Sequence, residues 1–177
     1  MTVKPIPESY WVLPDRFLAG EYPLLRYDEA ATRLRLASFL DAGINTFIDL
    51  TTPGERPEYL SLLKENGQAG AVPLQHLRFP IPDFDVPSPG TMRSILDAID
   101  QALESGRKVY LHCVGGVGRT GTAVGCWLVR HGRQPQQALA DLETLYRSAS
   151  QSEIHPRSPE NPEQARFILN WKEDGLA

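Results

Sequence analysis

Apolar positions in this 177-residue chain recur at two spacings, and the switches between them mark out its elements. Asp28 to Ala42 carries Leu34, Leu36, Phe39 and Leu40 at helical intervals, and Gly43 follows as a stop signal. Ile44 to Leu50 reads as a strand. Glu58 to Asn66 predicts a short helix ending at Gly67, and Leu74 to Phe79 a second strand. Ser88-Pro89 opens a helix whose Met92, Ile95, Leu96, Ile99 and Leu103 share one face, with Gly106 as its end. Val109 to His112 predicts a buried strand, and Thr120 to His131 a helix closed by Gly132. Pro135 opens a further helix carrying Ala138, Leu139, Leu142, Leu145 and Tyr146, and the last runs from Pro162 to Trp171. Strands alternating with helices predict an α/β fold, a largely parallel central sheet flanked by helices. No repeat, low-complexity tract or long linker divides the chain, so residues 1–177 read as one domain.

Composition narrows the function classes. The chain is 41% hydrophobic and 23% charged, as in soluble globular domains, and its net charge of −4 gives no basic footprint for nucleic acid. No apolar run is long enough to span a bilayer, and Met1 to Trp11 lacks the pattern of a secretory signal. Two cysteines are too few for a disulfide framework. Cys126 lies thirteen residues after Cys113 on a predicted helix, more than about 10 Å along its axis, and reads as a small core residue. The expectation is a cytoplasmic monomer, in a reducing compartment, with no nucleic-acid or membrane partner.

The chemistry concentrates in His112-Cys113-Val114-Gly115-Gly116-Val117-Gly118-Arg119-Thr120-Gly121. An apolar strand leads in and an apolar helix leads out, so the glycines form a tight strand-to-helix loop with a thiol at its mouth. Such a loop gathers backbone N–H groups at a helix N-terminus, where an anion is favoured. Only a thiolate attacks, and thiols in such surroundings ionise at roughly pH 3.5–7.5. Arg119 offers a planar fork for two phosphate oxygens, and the Thr120 hydroxyl is within reach of the sulfur as a donor.

His112-Cys113-x5-Arg119-Thr120 resembles the signature of the cysteine-dependent protein tyrosine and dual-specificity phosphatases. Phe79-Pro80-Ile81-Pro82-Asp83-Phe84-Asp85-Val86-Pro87-Ser88 is similar to the loop that carries the family's general acid. The match makes Asp83 the acid, with Asp85 as competitor. Ser158 to Phe167 resembles a late motif whose Glu160 and Gln164 stand where relatives position the hydrolytic water. Tyrosine-specific relatives usually carry Gln at the earlier position, and the role is not assigned to either residue alone. Pro14 to Pro23 looks like the first strand and its exit.

The resemblance implies a mechanism without metal or cofactor. The phosphate docks on the loop N–H groups of Val114, Gly115, Gly116, Val117, Gly118 and Arg119. Cys113 attacks phosphorus, Arg119 binds the oxygens, and Asp83 protonates the leaving group and then takes a proton from water. Strand alternation turns His112 away from the phosphate, as a support for the loop or an ordinary core histidine. Phe84, and more weakly Tyr59, are candidate pocket walls, Tyr59 reading more readily as packing. A loop without lysine favours a singly phosphorylated protein substrate. A same-mechanism phosphatase for an inositol phosphate or nucleotide stays open, as does a module that only binds phosphorylated partners. An arsenate reductase fits less well, because Cys126 alone supplies no redox relay.

Overall fold

The computed structural model of the protein describes residues 3–25, 28–66 and 73–173. In chain order the elements are β1 (Ser9–Leu13), β2 (Phe17–Gly20), α1 (Glu29–Asp41), β3 (Ile44–Asp49), α2 (Leu60–Asn66), β4 (Gln75–Arg78), α3 (Pro89–Glu104), β5 (Lys108–His112), α4 (Gly118–Arg130), α5 (Pro135–Tyr146), a 3-10 turn (Ser150–Glu153) and α6 (Pro162–Leu169). The strands form one sheet in the order β1-β2-β5-β3-β4. β1 pairs antiparallel with β2, and the other pairings are parallel.

Two-residue alternation builds a core on each face of the sheet. From β5, Val109 and Leu111 join Phe17, Ala19, Ile48, Ile95, Ile99 and Val124 on the face covered by α3 to α6. Tyr110 joins Leu18, Phe47, Leu36, Phe39 and Leu63 on the face covered by α1 and α2. Three helix starts match their sequence signals. Asp28 Oδ1 accepts from Ala31 N, Ser88 Oγ from Thr91 N, and Asn161 Oδ1 from Glu163 N and Gln164 N. Pro89 and Pro162 sit at the first turns that follow.

Some expectations need correction. The single strand expected within Pro14 to Pro23 is only Phe17–Gly20. It is the second arm of a hairpin whose first arm, β1, pattern reading missed. Pro14 and Asp15 make the turn, with Asp15 at φ 59°. Leu34 is 74% exposed, because Thr32, Leu36 and Phe39 take the inner face of α1 and Leu34 points away from them. Helix α4 starts at Gly118, two residues before the expected Thr120. The stop signal at Gly67 lies outside the described residues. Among the described residues no helix is long and apolar enough to cross a membrane.

The register aligns Gly20 and Asp49 with His112, and Arg78 with Asp49. The chain therefore leaves four parallel strands at one edge of the sheet, where α/β folds bind ligands.

Candidate active site

The loop from Cys113 to Val117 leaves β5 at that edge and enters α4. The framework takes its carbonyls. Val114 O accepts from Tyr22 N at 2.9 Å and Val117 O from Ser158 Oγ at 2.8 Å. Among the described residues none of the N–H groups of Val114, Gly115, Gly116 and Val117 donates a hydrogen bond to protein. The first-turn N–H groups of α4 have no intrahelical acceptor either, and Val117 supplies no side-chain cap. Buried amides are normally paired, so a run of unpaired ones marks a place built for an anion. Gly116 is required here, at φ 71°, because a Cβ would lie 2.5 Å from Gly20 O and 2.6 Å from Glu21 N.

Cys113 stands at the loop mouth as a free thiol, 3% exposed. Arg119 is 1% exposed and tightly held. Its Nη1 donates to Glu55 Oε2 at 3.0 Å and to Ile81 O at 2.9 Å. Its Nη2 donates to Glu55 Oε1 at 2.7 Å and lies 2.9 Å from Asp83 Oδ1. Its Nε is buried and unpartnered. One edge of the guanidinium is thus spent on Glu55, and the Nε edge is left for a ligand. Burial works against the Arg119 charge, but the Glu55 hydrogen bonds and the neighbouring Cys113, Glu55 and Asp83 outweigh it and raise its pKa. Burial likewise pushes the Glu55 carboxyl up, yet Arg119 and Thr52 hold it below its usual range.

Asp83 and Asp85 separate cleanly. Asp83 reaches Arg119 with about half its side chain exposed. Asp85 closes a turn, its N–H donating to Pro82 O and its Oδ1 accepting from Val86 N. Between them Phe84 adopts φ 62° and is 63% exposed, and its carbonyl accepts from Asn161 Nδ2 at 2.8 Å. The late segment is therefore fastened to the loop that carries Asp83. Gln164 is buried and its Nε2 donates to Asp85 O at 3.3 Å. The Glu160 carboxylate abuts Gly118. Thr120 is buried, and its Oγ1 has no hydrogen-bond partner, so the expected bond to the Cys113 sulfur is not formed in this structure.

Behind the loop His112 is fully buried among Tyr22, Tyr59 and Tyr110. Its Nε2 lies 2.7 Å from Tyr59 Oη and its Nδ1 3.2 Å from Cys113 O. The tautomer that serves both bonds donates from Nδ1 to the Cys113 carbonyl and accepts from the tyrosine. Burial first of all lowers the His112 pKa to about 4, so the ring is neutral. Tyr59 is fully buried and anchors His112, so it does not line the mouth of the loop. Asp49, also fully buried, accepts from Thr51 and from Arg78. Burial opposes its charge, but His76, His112 and Thr51 hold its pKa well below the usual carboxylate range.

Pattern reading did not find Glu55, Asp49 or Tyr22. A buried arginine demands a carboxylate, but nothing in a Thr-Thr-Pro-Gly-Glu turn says that Arg119, 64 residues away, is its partner.

The chain also resembles known proteins. The family model described as "Polymorphic toxin system, DSP-PTPase phosphatase" matches residues 25–133, more than half the chain. The rat cyclin-dependent kinase inhibitor 3 is 32% identical over 108 residues, 59% of this chain and 50% of that protein. The putative tyrosine phosphatase 067L of invertebrate iridescent virus 3 is 31% identical over 173 residues, 93% of this chain and 65% of that protein. The chain thus spans about half to two thirds of the length of these curated relatives. Among solved structures, the active form of Tk-PTP superposes with a TM-score of 0.71 at 24% identity, covering 92% of this chain and 94% of that one, a likeness of fold. The family match spans Asp83 and the whole Cys113–Arg119 loop, and the chain belongs to the dual-specificity and protein tyrosine phosphatase (DSP-PTPase) family.

Proposed function

We propose that the protein is a protein phosphatase that hydrolyses phosphotyrosine and phosphoserine or phosphothreonine through a phosphocysteine on Cys113. The observation that carries the reading is the unpaired loop: four consecutive N–H groups without a protein acceptor, beside a thiol and an unpartnered arginine Nε. A phosphate dianion satisfies all of them at once. The Cys113 thiolate attacks phosphorus in line. The phosphoryl group passes to sulfur, and the leaving oxygen takes the Asp83 proton. Arg119 and the loop N–H groups hold the equatorial oxygens, where charge is spread in the transition state. Thr120, one turn into α4, is free to rotate its hydroxyl toward the departing thiolate. Water then breaks the phosphorus–sulfur bond.

The rim supports a singly phosphorylated protein substrate. Asp83 and Glu160 stand beside a loop that has no lysine, an arrangement that disfavours a substrate carrying several phosphates. The exposed Phe84 ring offers an apolar surface beside Asp83 for the side chain that bears the phosphate. The test is metal-free phosphate release from matched phosphotyrosine and phosphothreonine peptides and from an inositol phosphate, with wild type and Cys113→Ser. Release from the peptides that Cys113→Ser abolishes supports the reading. Release from the inositol phosphate alone replaces it with a small-molecule phosphatase, and release that survives Cys113→Ser removes the covalent mechanism.

A further inference from the structure

A groove of about 520 Å³ opens between α3 and α6, next to the loop that carries Asp83. Its apolar wall is Val86 and Pro89 on one side and Phe167 and Trp171 on the other. The Phe167 and Trp171 rings stack with centroids 5.7 Å apart, and the Arg93 guanidinium lies over the Trp171 ring, 6.0 Å from its centroid. Aromatic side chains and arginine are the groups that interfaces favour. The charged wall is cationic. Arg93, Arg166 and Lys172 line the groove against a single carboxylate, Glu163. Arg166 and Lys172 are exposed, and among the described residues neither forms an ion pair. Glu173, the carboxylate that follows Lys172, is spent, because Arg130 donates to both its oxygens and Trp171 Nε1 to one of them. In a chain of net charge −4, an unneutralised cationic groove stands against the overall balance and attracts anions.

The groove begins where the Phe84 rim ends. Val86 follows Phe84 by two residues in the chain and lines the groove. Asn161 Nδ2 and Gln164 Nε2 tie Phe84 O and Asp85 O to the start of α6, and Glu163 and Arg166 lie to either side of Gln164 on that helix. A chain that crosses the exposed Phe84 ring away from Cys113 on this side meets apolar surface first and uncompensated positive charge with it.

We propose that the groove between α3 and α6 docks an acidic segment of the phosphoprotein substrate, with an apolar side chain of that segment against Phe167 and Trp171 and its carboxylates against Arg166 and Lys172. The proposal rests on the protein-phosphatase reading above. It gives the two kinds of anion on the substrate separate places. The phosphate enters the Cys113 loop, where Asp83 and Glu160 disfavour further negative charge close by. The acidic side chains sit beyond Phe84, where the cations are. Such charge matching sets partner choice more than raw affinity.

The experiment uses phosphotyrosine peptides with a Glu-Leu-Glu-Glu stretch about three to six residues from the phosphate, on either side, and matched peptides with Gln or Lys in place of Glu. The enzymes are wild type and the double variants Arg166→Gln with Lys172→Gln and Arg166→Glu with Lys172→Glu, and p-nitrophenyl phosphate reports the chemistry in each. We expect wild type to favour an acidic peptide by about 10-fold in kcat/KM, carried by KM, since exposed ion pairs contribute roughly two- to fivefold each. The preference should shrink as salt rises. The Gln variant should lose it, and the Glu variant should turn it toward the Lys peptide, an inversion that a merely structural role of α6 would not produce. Both variants should keep the p-nitrophenyl phosphate rate within about twofold of wild type. Equal kcat/KM for all peptides in wild type overturns the proposal, as does an acidic preference that survives in the Glu variant. Binding to phosphatidylserine vesicles that both variants abolish, with peptide preference unchanged, overturns it in favour of a membrane surface. Cys113-dependent turnover of p-nitrophenyl phosphate with no release from any phosphopeptide removes the protein-phosphatase reading itself and the docking with it, a result distinct from the others.

Discussion

Helix α4 carries an arginine in a carboxylate cluster at each end, and the clusters differ in what they leave unpaired. At the C-terminal end Arg130 uses every nitrogen. Nε and Nη2 donate to Glu173, and Nη1 to Asp97 and Asp100. At the N-terminal end Arg119 meets Glu55, Asp83 and the Ile81 carbonyl through Nη1 and Nη2 but leaves Nε buried and bare. The helix dipole sharpens the contrast. A cation is favoured in the last turn, where Arg130 sits, and disfavoured in the first, where Arg119 sits. Arg130 is placed where folding wants it. Arg119 is held by two carboxylates where folding does not, and an unspent donor remains. That residual cost distinguishes a site from a strut.

The comparison breaks most easily at Asp83, the proposed acid. Asp83→Asn keeps the shape near Arg119 and removes the proton, and kcat should fall by on the order of 10²–10⁴. The loss should shrink for aryl phosphates whose leaving group needs no proton. Asp85→Asn, altering a residue that only closes a turn, should stay near wild type in the same assay. An equal loss there would move the acid to Asp85.

Arg119→Lys comes next. An ammonium is a point charge that cannot hold Glu55 with one edge and a phosphate with the other. We expect kcat/KM for an aryl phosphate to fall by on the order of 10²–10³. A loss below about tenfold would mean that the backbone amides alone carry phosphate binding.

A third effect lies behind the loop and concerns stability. His112 is buried neutral, its pKa lowered from 6.5 to about 4. Between those values the unfolded chain binds a proton that the folded chain does not, so stability rises with pH through this window. It is complete above pH 6.5 and lost progressively as pH falls toward 4, by about 3 kcal/mol. Asp49 acts lower, because its depressed pKa begins to matter only below the ordinary carboxylate range. Urea unfolding of wild type and His112→Asn across this window checks the sign, and a variant that keeps the same slope would assign it elsewhere.

These residues also show what was legible in the sequence. The local structure around Cys113 to Arg119 could be read because a strand, glycines and a helix start are contiguous there. The loop that brings Asp83 to Arg119 could be read as a loop because its prolines exclude helix and sheet locally. Glu55 and Asp49 could not, because their partners lie far along the chain, Arg119 on α4 for Glu55 and Arg78 on β4 for Asp49. Strand β1 escaped for a related reason. Lys4 to Pro7 and Pro14 frame a run of five residues, too short for periodicity to separate from loop, and pairing with β2 alone makes it a strand. Leu34 misled because an apolar residue within a helical run says nothing of which face the fold will cover.

The smallest effect tests the other half of the comparison. Arg130→Lys leaves three carboxylates around a group that can no longer bridge them, at side chains 15% exposed for both Arg130 and Glu173. Partly screened pairs contribute little each, so the network should cost about 1 kcal/mol in urea unfolding. Turnover should stay within about twofold of wild type, because the group lies at the far end of α4, about 1.5 Å of rise per residue away from the loop. Loss of stability without loss of rate is the signature of a strut. If the rate fell with the stability, α4 would have to carry a displacement from Glu173 to the loop N–H groups. The two ends of the helix would then be one device rather than two.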